Sequence, residues 1–303
     1  MVYNLNIESI TLHPRLRGIE TEKTNKMNIS EKPHLHKTAV TSSVFCQDNL
    51  ELLKSQPDES VDLIYCDILY GTGKDFMDYK DLYPMREIIE EHYLPRLKEM
   101  HRVLKSTGSI YLQMDSRISH WVRCLLDEVF GYGNFKNELI WCYNTGGKSK
   151  KWFSKKHDVI LWYSKSNKYK FFPDAISEKR GTQKRNNLKK IIENGETFYV
   201  CRANGKEYRY SENDSILLND WWIDIPQMQQ HHPDRTGYYS QKPKELIERI
   251  IKASSNEGDI VADYYLGSGT TAVACKELNR NFIGCDINPK AIEITKTRLI
   301  NGV

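Results

Sequence analysis

Two short motifs in the chain combine residue types that could bind and activate small molecules. The first is Asp67-Ile-Leu-Tyr70, in which a carboxylate at the end of an apolar run precedes an aromatic ring by three residues. The second is Asp263-Tyr-Tyr-Leu-Gly267-Ser-Gly269, which two threonines follow. A carboxylate can accept hydrogen bonds from an amino group, and a Gly-x-Gly turn lets the backbone approach a ligand closely. The motifs therefore predict a reacting centre near residue 67 and a cofactor loop near residue 267.

The glycine motif is typical of a strand-to-helix turn at a nucleotide site. Gly267 and Gly269 permit a tight turn, and Thr270 opens a helix whose first amides can receive an anion. Asp286 ends the next predicted strand, 19 residues after Gly267. That spacing suits a carboxylate that accepts hydrogen bonds from ribose hydroxyls. The pattern favours a nucleoside cofactor over a purely structural turn.

The glycine motif alone is compatible with more than one class of nucleotide cofactor. Gly267-Ser-Gly269-Thr-Thr-Ala272 also fits the dinucleotide fingerprint, whose third position accepts alanine, so an NAD-linked oxidoreductase is an alternative. However, too few residues follow the loop to build a second nucleotide-binding half. The substrate side of the site must therefore come from upstream, where Asp67 lies.

The Asp67 motif carries the groups needed to orient an exocyclic amino group. The Asp67 carboxylate and the Ile68 carbonyl could each accept a hydrogen bond from an NH₂ group as its nitrogen attacks a methyl group. Tyr70 could stack on the base, and such stacking is worth roughly 1–3 kcal/mol. This is enough to help hold a nucleotide that has been flipped out of its helix.

A strongly basic segment lies between the two motifs. Residues 148–190 contain 14 basic and three acidic residues, a net charge of +11, which leaves −7 for the rest of the chain. Eight aromatic residues between 143 and 172 alternate with these cations. A solvated surface is the alternative, but cations with interleaved rings favour nucleic-acid binding. The candidate DNA contacts are Lys148, Lys150, Lys151, Lys155, Lys179, Arg180, Lys184 and Arg185.

Alternating strands and helices must position these motifs. Apolar periodicity predicts α/β structure on both sides of a less regular stretch, residues 166–235, and hence one doubly wound, mostly parallel sheet built from two chain segments. The predicted strands are 40–46, 61–66, 109–114, 136–143, 158–163, 259–265 and 281–285, with 136–143 and 158–163 antiparallel. The predicted helices are 49–54, 87–104, 119–130, 243–254, 270–278 and 289–300.

Composition narrows the class of protein. No run approaches 18 apolar residues and residues 1–30 lack a signal-peptide pattern, so we expect a cytoplasmic protein without a membrane span. The seven cysteines are scattered without a Cys-x-x-Cys pair, which favours reduced thiols over disulfides or a zinc site. The scattered histidines suggest no metal.

On these motifs and their order, the chain resembles the β-class DNA amino-methyltransferases that accompany bacterial restriction systems and use S-adenosylmethionine. In that class the catalytic motif comes first, the target-recognition region follows, and the cofactor motif comes last. The resemblance covers most of residues 38–300 and implies a circularly reordered, Rossmann-like methyltransferase fold. The implied segments are an N-terminal arm (1–35), a catalytic half (36–165), an inserted target-recognition region (166–235) and a cofactor-binding half (236–303).

The resemblance assigns roles to individual residues. Asp67-Ile-Leu-Tyr70 stands where the family has Asp-Pro-Pro-Tyr, and Tyr264 replaces the usual proline of the cofactor motif. Ile68 keeps the backbone carbonyl that the reaction needs, whereas the fixed φ of proline is lost. The implied cofactor residues are Asp48 at the adenine, Asp286 at the ribose, Ser240 and Lys242 at the methionine carboxylate, Asp263 near the methionine end, Tyr265 beside the cofactor, and Gly267, Ser268, Gly269 and Thr270 in the loop.

In the family, Asp at the first tetrad position implies adenine N6 as the target, with cytosine N4 as the alternative. The sulfonium makes the methyl group electrophilic, so catalysis needs positioning and electrostatic support rather than a covalent enzyme intermediate or a metal. The implied partner is double-stranded DNA, and the resemblance allows a restriction endonuclease partner and a homodimer. Because both tetrad prolines are absent, a non-catalytic DNA-binding homologue is a further alternative.

Overall fold

A nine-stranded, mostly parallel sheet forms the centre of the fold in the computed structural model, which describes residues 2–4, 42–144, 148–179 and 188–301. Its order is β1-β2-β14-β13-β3-β4-β6-β5-β12. Its strands are β1 (Val2–Asn4), β2 (Ser43–Cys46), β3 (Val61–Asp67), β4 (Leu104–Met114), β5 (Phe135–Cys142), β6 (His157–Ser164), β12 (Trp221–Trp222), β13 (Ile260–Asp263) and β14 (Asn281–Asp286).

Helices cover both faces of this sheet. One hydrophobic cluster contains residues of α1 (Asn49–Ser55), α2 (Arg86–Val103) and α3 (Ser119–Phe130). The other contains residues of α4 (Lys244–Ser254), α5 (Thr270–Glu277) and α6 (Pro289–Asn301). Strand β3 supplies Ile64 and Cys66 to the first cluster and Leu63 and Tyr65 to the second, because successive side chains of a strand point to opposite faces. The doubly wound prediction is confirmed.

The parallel part of the sheet combines two distant chain segments. Strand β13 pairs in parallel with both β3 and β14, and β14 pairs in parallel with β2. Strands β5 and β6 are antiparallel, as predicted. Each predicted helix and strand is present between residues 43 and 300, and most ends shift by only one or two residues.

One predicted boundary is wrong. The sequence predicts a strand that begins at Ser109, but β4 already begins at Leu104 and pairs with Val61 of β3. A Cβ atom on Gly108 would lie 2.8 Å from the Asp62 carbonyl oxygen. The glycine therefore permits close approach of two strands, and does not mark a turn.

The stretch 166–235 contains small antiparallel sheets. A three-stranded sheet has the order β10-β9-β8, and two further short strands pair with each other. Asn194-Gly195 and Asn204-Gly205 form its hairpin turns with positive φ at both residues, which suits the twist of two-residue hairpins. These strands are β7 (Glu178–Lys179), β8 (Lys189–Glu193), β9 (Glu196–Ala203), β10 (Lys206–Ser211) and β11 (Ser215–Ile216).

The chain returns to the large sheet through β12. Trp222 is buried and pairs with Trp141 of β5, so this strand forms one edge of the sheet. The buried Trp222 side chain thus joins the stretch 166–235 to the large sheet, whereas Trp221 is half-exposed. Over the described part of the chain, no helix has the length and apolar character needed to cross a membrane.

Candidate active site

The carboxyl ends of four parallel strands meet at one edge of the sheet, and each brings an aspartate. Asp67 ends β3, Asp263 ends β13, Asp286 ends β14, and Asp48 follows β2. All four line one cleft of about 1000 Å³. Ligands of open α/β sheets bind at this edge. The fold therefore brings together the two motifs that lie far apart in the sequence.

Most of the predicted site residues line this cleft. The catalytic candidates Asp67, Ile68 and Tyr70 do so, as do nine of the ten cofactor candidates. The exception is Gly269, which caps α5 with a φ of 76°. A Cβ atom there would lie within 3 Å of Thr295 in α6, so this glycine serves helix packing. The nine that line the cleft are Asp48, Ser240, Lys242, Asp263, Tyr265, Gly267, Ser268, Thr270 and Asp286.

The predicted DNA contacts lie elsewhere on the surface. Lys148, Lys150, Lys151 and Lys155 are exposed on the connection between β5 and β6, and Lys179 is exposed in β7. The remaining three candidates lie outside the described residues; they are Arg180, Lys184 and Arg185.

The glycine loop is fixed to the strand that follows it. The Asp286 carboxylate accepts hydrogen bonds from the backbone N–H groups of Gly267 (2.9 Å) and Asn288 (2.8 Å). Burial raises the pKa of Asp286, while these backbone donors oppose that shift. The acid predicted to meet the ribose thus also holds the loop in place.

Asp263 lies beneath the loop and is almost fully buried. It accepts hydrogen bonds from the Tyr265 N–H (3.0 Å) and the Thr271 hydroxyl (2.5 Å). Burial raises its pKa to about 7 despite these donors. A cationic group of a ligand beside this carboxyl would favour its ionised form.

Asp67 has both carboxylate oxygens occupied. The Lys242 ammonium donates to Oδ2 at 2.5 Å, and the Tyr70 hydroxyl donates to Oδ1 at 2.9 Å. Burial raises the pKa of Asp67, and the Lys242 cation acts in the opposite direction. Lys242 was expected at the cofactor's carboxylate, whereas here it forms an ion pair with Asp67, the predicted catalytic acid. Each oxygen has a second lone pair, so an incoming amino group can add to these donors or displace one of them.

A second buried carboxylate, Asp158, supports Tyr70 and was missed in the sequence. Its Oδ2 accepts from the Tyr70 hydroxyl (2.6 Å) and the Gln113 amide (2.9 Å). Its Oδ1 accepts from the Tyr143 hydroxyl (3.0 Å). In the sequence, Asp158 stands out only as one of three acidic residues in the basic segment 148–190. The available indication was an acidic residue at the start of the apolar strand β6.

Hydrogen bonds hold the backbone of the Asp67 and Asp263 motifs, in which the prolines of the family are absent. The Ile68 N–H donates to the Gln113 carbonyl (3.0 Å), and the Leu69 carbonyl accepts from the Tyr93 hydroxyl (3.0 Å). The Tyr264 N–H donates to Cys66 Sγ at 3.3 Å. Proline has no N–H and could not make the first or the third of these contacts. These contacts hold the backbone of both motifs in place.

Residues 71–83, which we call the strap, lie across the cleft. Backbone bonds pair Gly73 with Leu82 and Phe76 with Tyr79, forming a narrow loop after the Asp67 motif. At its tip, the buried Asp78 carboxylate accepts from the Lys290 ammonium (2.9 Å) and the Tyr239 N–H (3.1 Å). The Asn288 side chain also donates to the Asp78 carbonyl (2.6 Å). The strap thus joins the catalytic side of the cleft to the start of α6.

Asp48 lies at the far end of the cleft and organises the residues around it. One oxygen caps α1 by accepting from the Leu50 N–H (2.8 Å), and the other pairs with Arg96 (2.9 Å). Nearby, His92 Nε2 lies 3.0 Å from the Tyr265 hydroxyl, and burial lowers the pKa of His92 to about 4. This end therefore presents an anchored carboxylate and a neutral imidazole.

Comparison with known proteins identifies relatives of this arrangement. Residues 61–297 match the model of a family described as DNA methylase. Type II methyltransferase M.HpaI of Haemophilus parainfluenzae is 33% identical over 258 residues, covering 84% of this chain and 73% of that protein. DNA adenine methyltransferase YhdJ of Escherichia coli (strain K12) is 31% identical over 254 residues, covering 83% and 80%.

Solved structures share the fold. The PvuII DNA methyltransferase, described as cytosine-N4-specific, superimposes with a TM-score of 0.58 at 16% identity, covering 88% of this chain and 95% of that one. The M1.HpyAVI–SAM complex gives a TM-score of 0.54 at 20% identity, covering 84% and 98%. These likenesses support the Rossmann-like architecture.

Proposed function

The chain belongs to the DNA methylase family, and on that premise we propose that it transfers the methyl group of S-adenosylmethionine to N6 of adenine in duplex DNA. The observation that carries this proposal is the meeting of Asp67 and Tyr70 with the Gly267 loop in one cleft. Membership of the family removes the NAD-linked oxidoreductase from consideration.

The residues around the loop suit this cofactor. We assign Asp286 to the ribose hydroxyls, Asp48 to the adenine and Asp263 to the methionine ammonium. Burial raises the pKa of Asp263 to about 7. A cationic ligand beside this carboxyl would stabilise its ionised form, so the site suits such a ligand. When bound, the cofactor supplies an electrophilic methyl group.

Tyr265 and the loop residues Ser268 and Thr270 complete the cofactor side. We assign Ser240 and Lys242 to the methionine carboxylate. The Lys242 ammonium would then leave Asp67 Oδ2, to which it is bonded here, and so free that oxygen for the substrate. On this proposal, cofactor binding prepares the catalytic acid.

On the substrate side, we assign Asp67 and Ile68 to the amino group of the flipped base. Hydrogen bonds from the NH₂ group to the Asp67 carboxylate and the Ile68 carbonyl would direct the nitrogen lone pair towards the methyl donor. The Asp67 charge would also stabilise the positive charge that develops on nitrogen. Tyr70, held by Asp67 and Asp158, would stack on the base.

Two observations favour adenine over cytosine. An aspartate occupies the first tetrad position, and a relative that is 31% identical is described as a DNA adenine methyltransferase. Incubation with labelled S-adenosylmethionine and mixed-sequence duplex DNA, followed by nucleoside analysis, should give N6-methyladenine. N4-methylcytosine as the sole product would overturn the choice of base, and label found only in RNA or protein would overturn the choice of substrate.

The catalytic assignment has its own test. Asp67→Asn keeps the shape of the side chain and removes its charge, so methyl transfer should fall by about 100-fold or more, while cofactor binding is retained. Glu257→Gln, at an exposed carboxylate outside both the cleft and residues 166–235, is the matched control. DNA binding by the wild-type chain without turnover would instead support a non-catalytic homologue.

We further propose that residues 166–235 form the target-recognition region and that the chain protects a site from a restriction endonuclease. The small sheet of β8, β9 and β10 would present side chains to base edges, and nearby cations would hold phosphates. Methylation-aware sequencing of DNA from cells that express the protein would report the methylated site. DNA methylated at that site should then resist an endonuclease that cleaves there.

A further inference from the structure

The connection between β5 and β6 is anchored at both ends to the residues that hold Tyr70. Tyr143, directly after β5, donates its hydroxyl to Asp158 Oδ1, and Asp158 Oδ2 accepts from Tyr70. The Tyr143 N–H also donates to the Lys156 carbonyl at 2.9 Å, which closes the neck of the connection. Its described distal part, residues 148–156, thus projects from the substrate side of the cleft.

Two aromatic rings are exposed on this projection. Phe153 is 99% exposed and Trp152 is 67% exposed. The segment is fixed by its own hydrogen bonds, since Ser149 Oγ accepts from the Lys151 and Trp152 N–H groups, and Ser154 Oγ accepts from the Ser149 N–H. The two rings are therefore presented to solvent by an ordered turn.

Exposed cations surround these rings. Three lysines lie one to four residues before Trp152, and a fourth lies two residues after Phe153. They are Lys148, Lys150, Lys151 and Lys155. A cluster of cations suits a polyanion. Because the neighbouring cleft is proposed to receive a flipped base, this polyanion is duplex DNA. Apolar side chains that enter a duplex between base steps are known devices for unstacking and kinking DNA.

We infer that Phe153, supported by Trp152, is a wedge that enters the duplex beside the target base and occupies the space that the flipped nucleotide leaves. The flanking lysines hold the adjacent phosphates, and the ordered turn sets the depth of insertion. Phe153 acts here as a positioning residue, because it fills the duplex and does not touch the reacting atoms. This inference rests on the proposed function.

The wedge makes a prediction that depends on base pairing. Phe153→Ala should slow methylation of a paired target at least tenfold, because the cost of extrusion is no longer offset. On the same duplex with an abasic site opposite the target, the variant should approach the wild-type rate. Phe153→Leu, which keeps an apolar wedge, should recover most of the activity on the paired substrate.

The experiment compares single-turnover methylation rates on paired and abasic duplexes that carry the target adenine in the recognised site. Parallel duplexes with 2-aminopurine in place of the target adenine report extrusion by fluorescence only, since that base has no 6-amino group to be methylated. Tyr132→Ala removes another exposed ring and is the matched control. Equal slowing of Phe153→Ala on both duplexes, or no slowing on either, overturns the wedge. A wild-type chain that methylates no DNA refutes the proposed function instead, so the two failures are distinguishable.

Discussion

At the residue scale, the catalytic motif depends on a partner that lies far from it in the sequence. Asp158 joins Tyr70, Gln113 and Tyr143 through three hydrogen bonds, and it is only 3% exposed. Tyr70 in turn bonds to Asp67. The orientation of the ring that we assign to the flipped base is therefore set by the second carboxylate as much as by the motif itself.

Asp158→Asn should lower kcat/KM for DNA about tenfold, because the amide accepts less strongly from the Tyr70 hydroxyl and the ring loses its fixed orientation. Tyr70→Phe should act on the same contact. The two substitutions together should cost clearly less than the sum of their separate effects, as coupled residues do. A double-substitution cycle on methylation rates measures this, and strict additivity would contradict a shared role.

Asp263 gives the cofactor site a pH dependence. Its pKa is raised to about 7 by burial, so the carboxyl is largely protonated in the free protein below that pH. A bound ammonium favours the carboxylate, and binding must then release a proton. Cofactor affinity should therefore rise as the pH increases from 6 to 8.

Calorimetry in two buffers of different ionisation enthalpy measures the proton release, which should shrink above pH 8. Asp263→Asn should abolish it and flatten the affinity profile. The contribution of Asp263 to the stability of the free protein has the opposite trend. Between about pH 4 and 7 this carboxyl binds fewer protons in the unfolded chain than in the folded one, so its contribution to the free energy of unfolding falls as the pH rises.

Local sequence was enough to find Asp67, Asp263 and Asp286, since each ends an apolar strand, and Tyr70, which follows Asp67 by three residues. It could not find Asp158, because its role arises from the pairing of β6 with β4, which brings Gln113 opposite Ile160. Nor could it show that Lys242 reaches Asp67, 175 residues away in the chain. Contacts of this kind depend on topology, and adjacent residues do not encode them.

At the element scale, the strap lies across the cleft, and we expect it to limit access to it. Its tip is held by Asp78 against Lys290, Tyr239 and Asn288. Asp78→Ala removes the ion pair and one backbone contact, so the strap should open more often and the cofactor should dissociate several-fold faster. Stopped-flow displacement of bound cofactor measures this rate.

The matched control for the strap is Lys252→Ala, which breaks an ion pair of the same kind with Glu248 on α4. Lys290→Ala should reproduce the effect of Asp78→Ala on the same contact. If Asp78→Ala leaves the dissociation rate unchanged, the strap does not limit cofactor exchange, and its contacts serve only to order the loop.

The hairpins within residues 166–235 were not predicted from hydrophobic periodicity, although their turn residues are visible in the sequence. Their strands are short and mostly exposed, so the alternation of apolar and polar residues was weak. Two Asn-Gly pairs nevertheless stand at the turns. Turn chemistry was the stronger indication here, because positive φ at two successive residues is a steric requirement that few residue types meet.

At the scale of the whole molecule, the uneven distribution of charge predicts that the affinity for DNA depends on salt concentration. The segment 148–190 carries +11 against −7 for the remainder. Each phosphate contact adds about −0.9 to the slope of log K against log[salt] for B-DNA. Replacing Lys148, Lys150 and Lys151 by Ala should therefore flatten the slope by up to about 3.

Fluorescence anisotropy over a salt series measures this slope. Exposed Lys98 in α2, outside both the basic segment and residues 166–235, provides a single-lysine control. A triple variant with an unchanged slope would show that the projection does not contact phosphates. A uniform loss of affinity with an unchanged preference among sequences is expected, since phosphate contacts position the duplex and do not read it.

The placement of β13 between β3 and β14 has a consequence for biosynthesis. Strand β3 is apolar and buried on both faces, yet its partner at Val261 is made almost 200 residues later than Leu63. Until the ribosome has released that segment, the β3 edge is open to pairing with any other extended chain. Chains terminated before residue 260 should therefore aggregate during synthesis, and folding of the full chain should wait for about its last seventh to emerge.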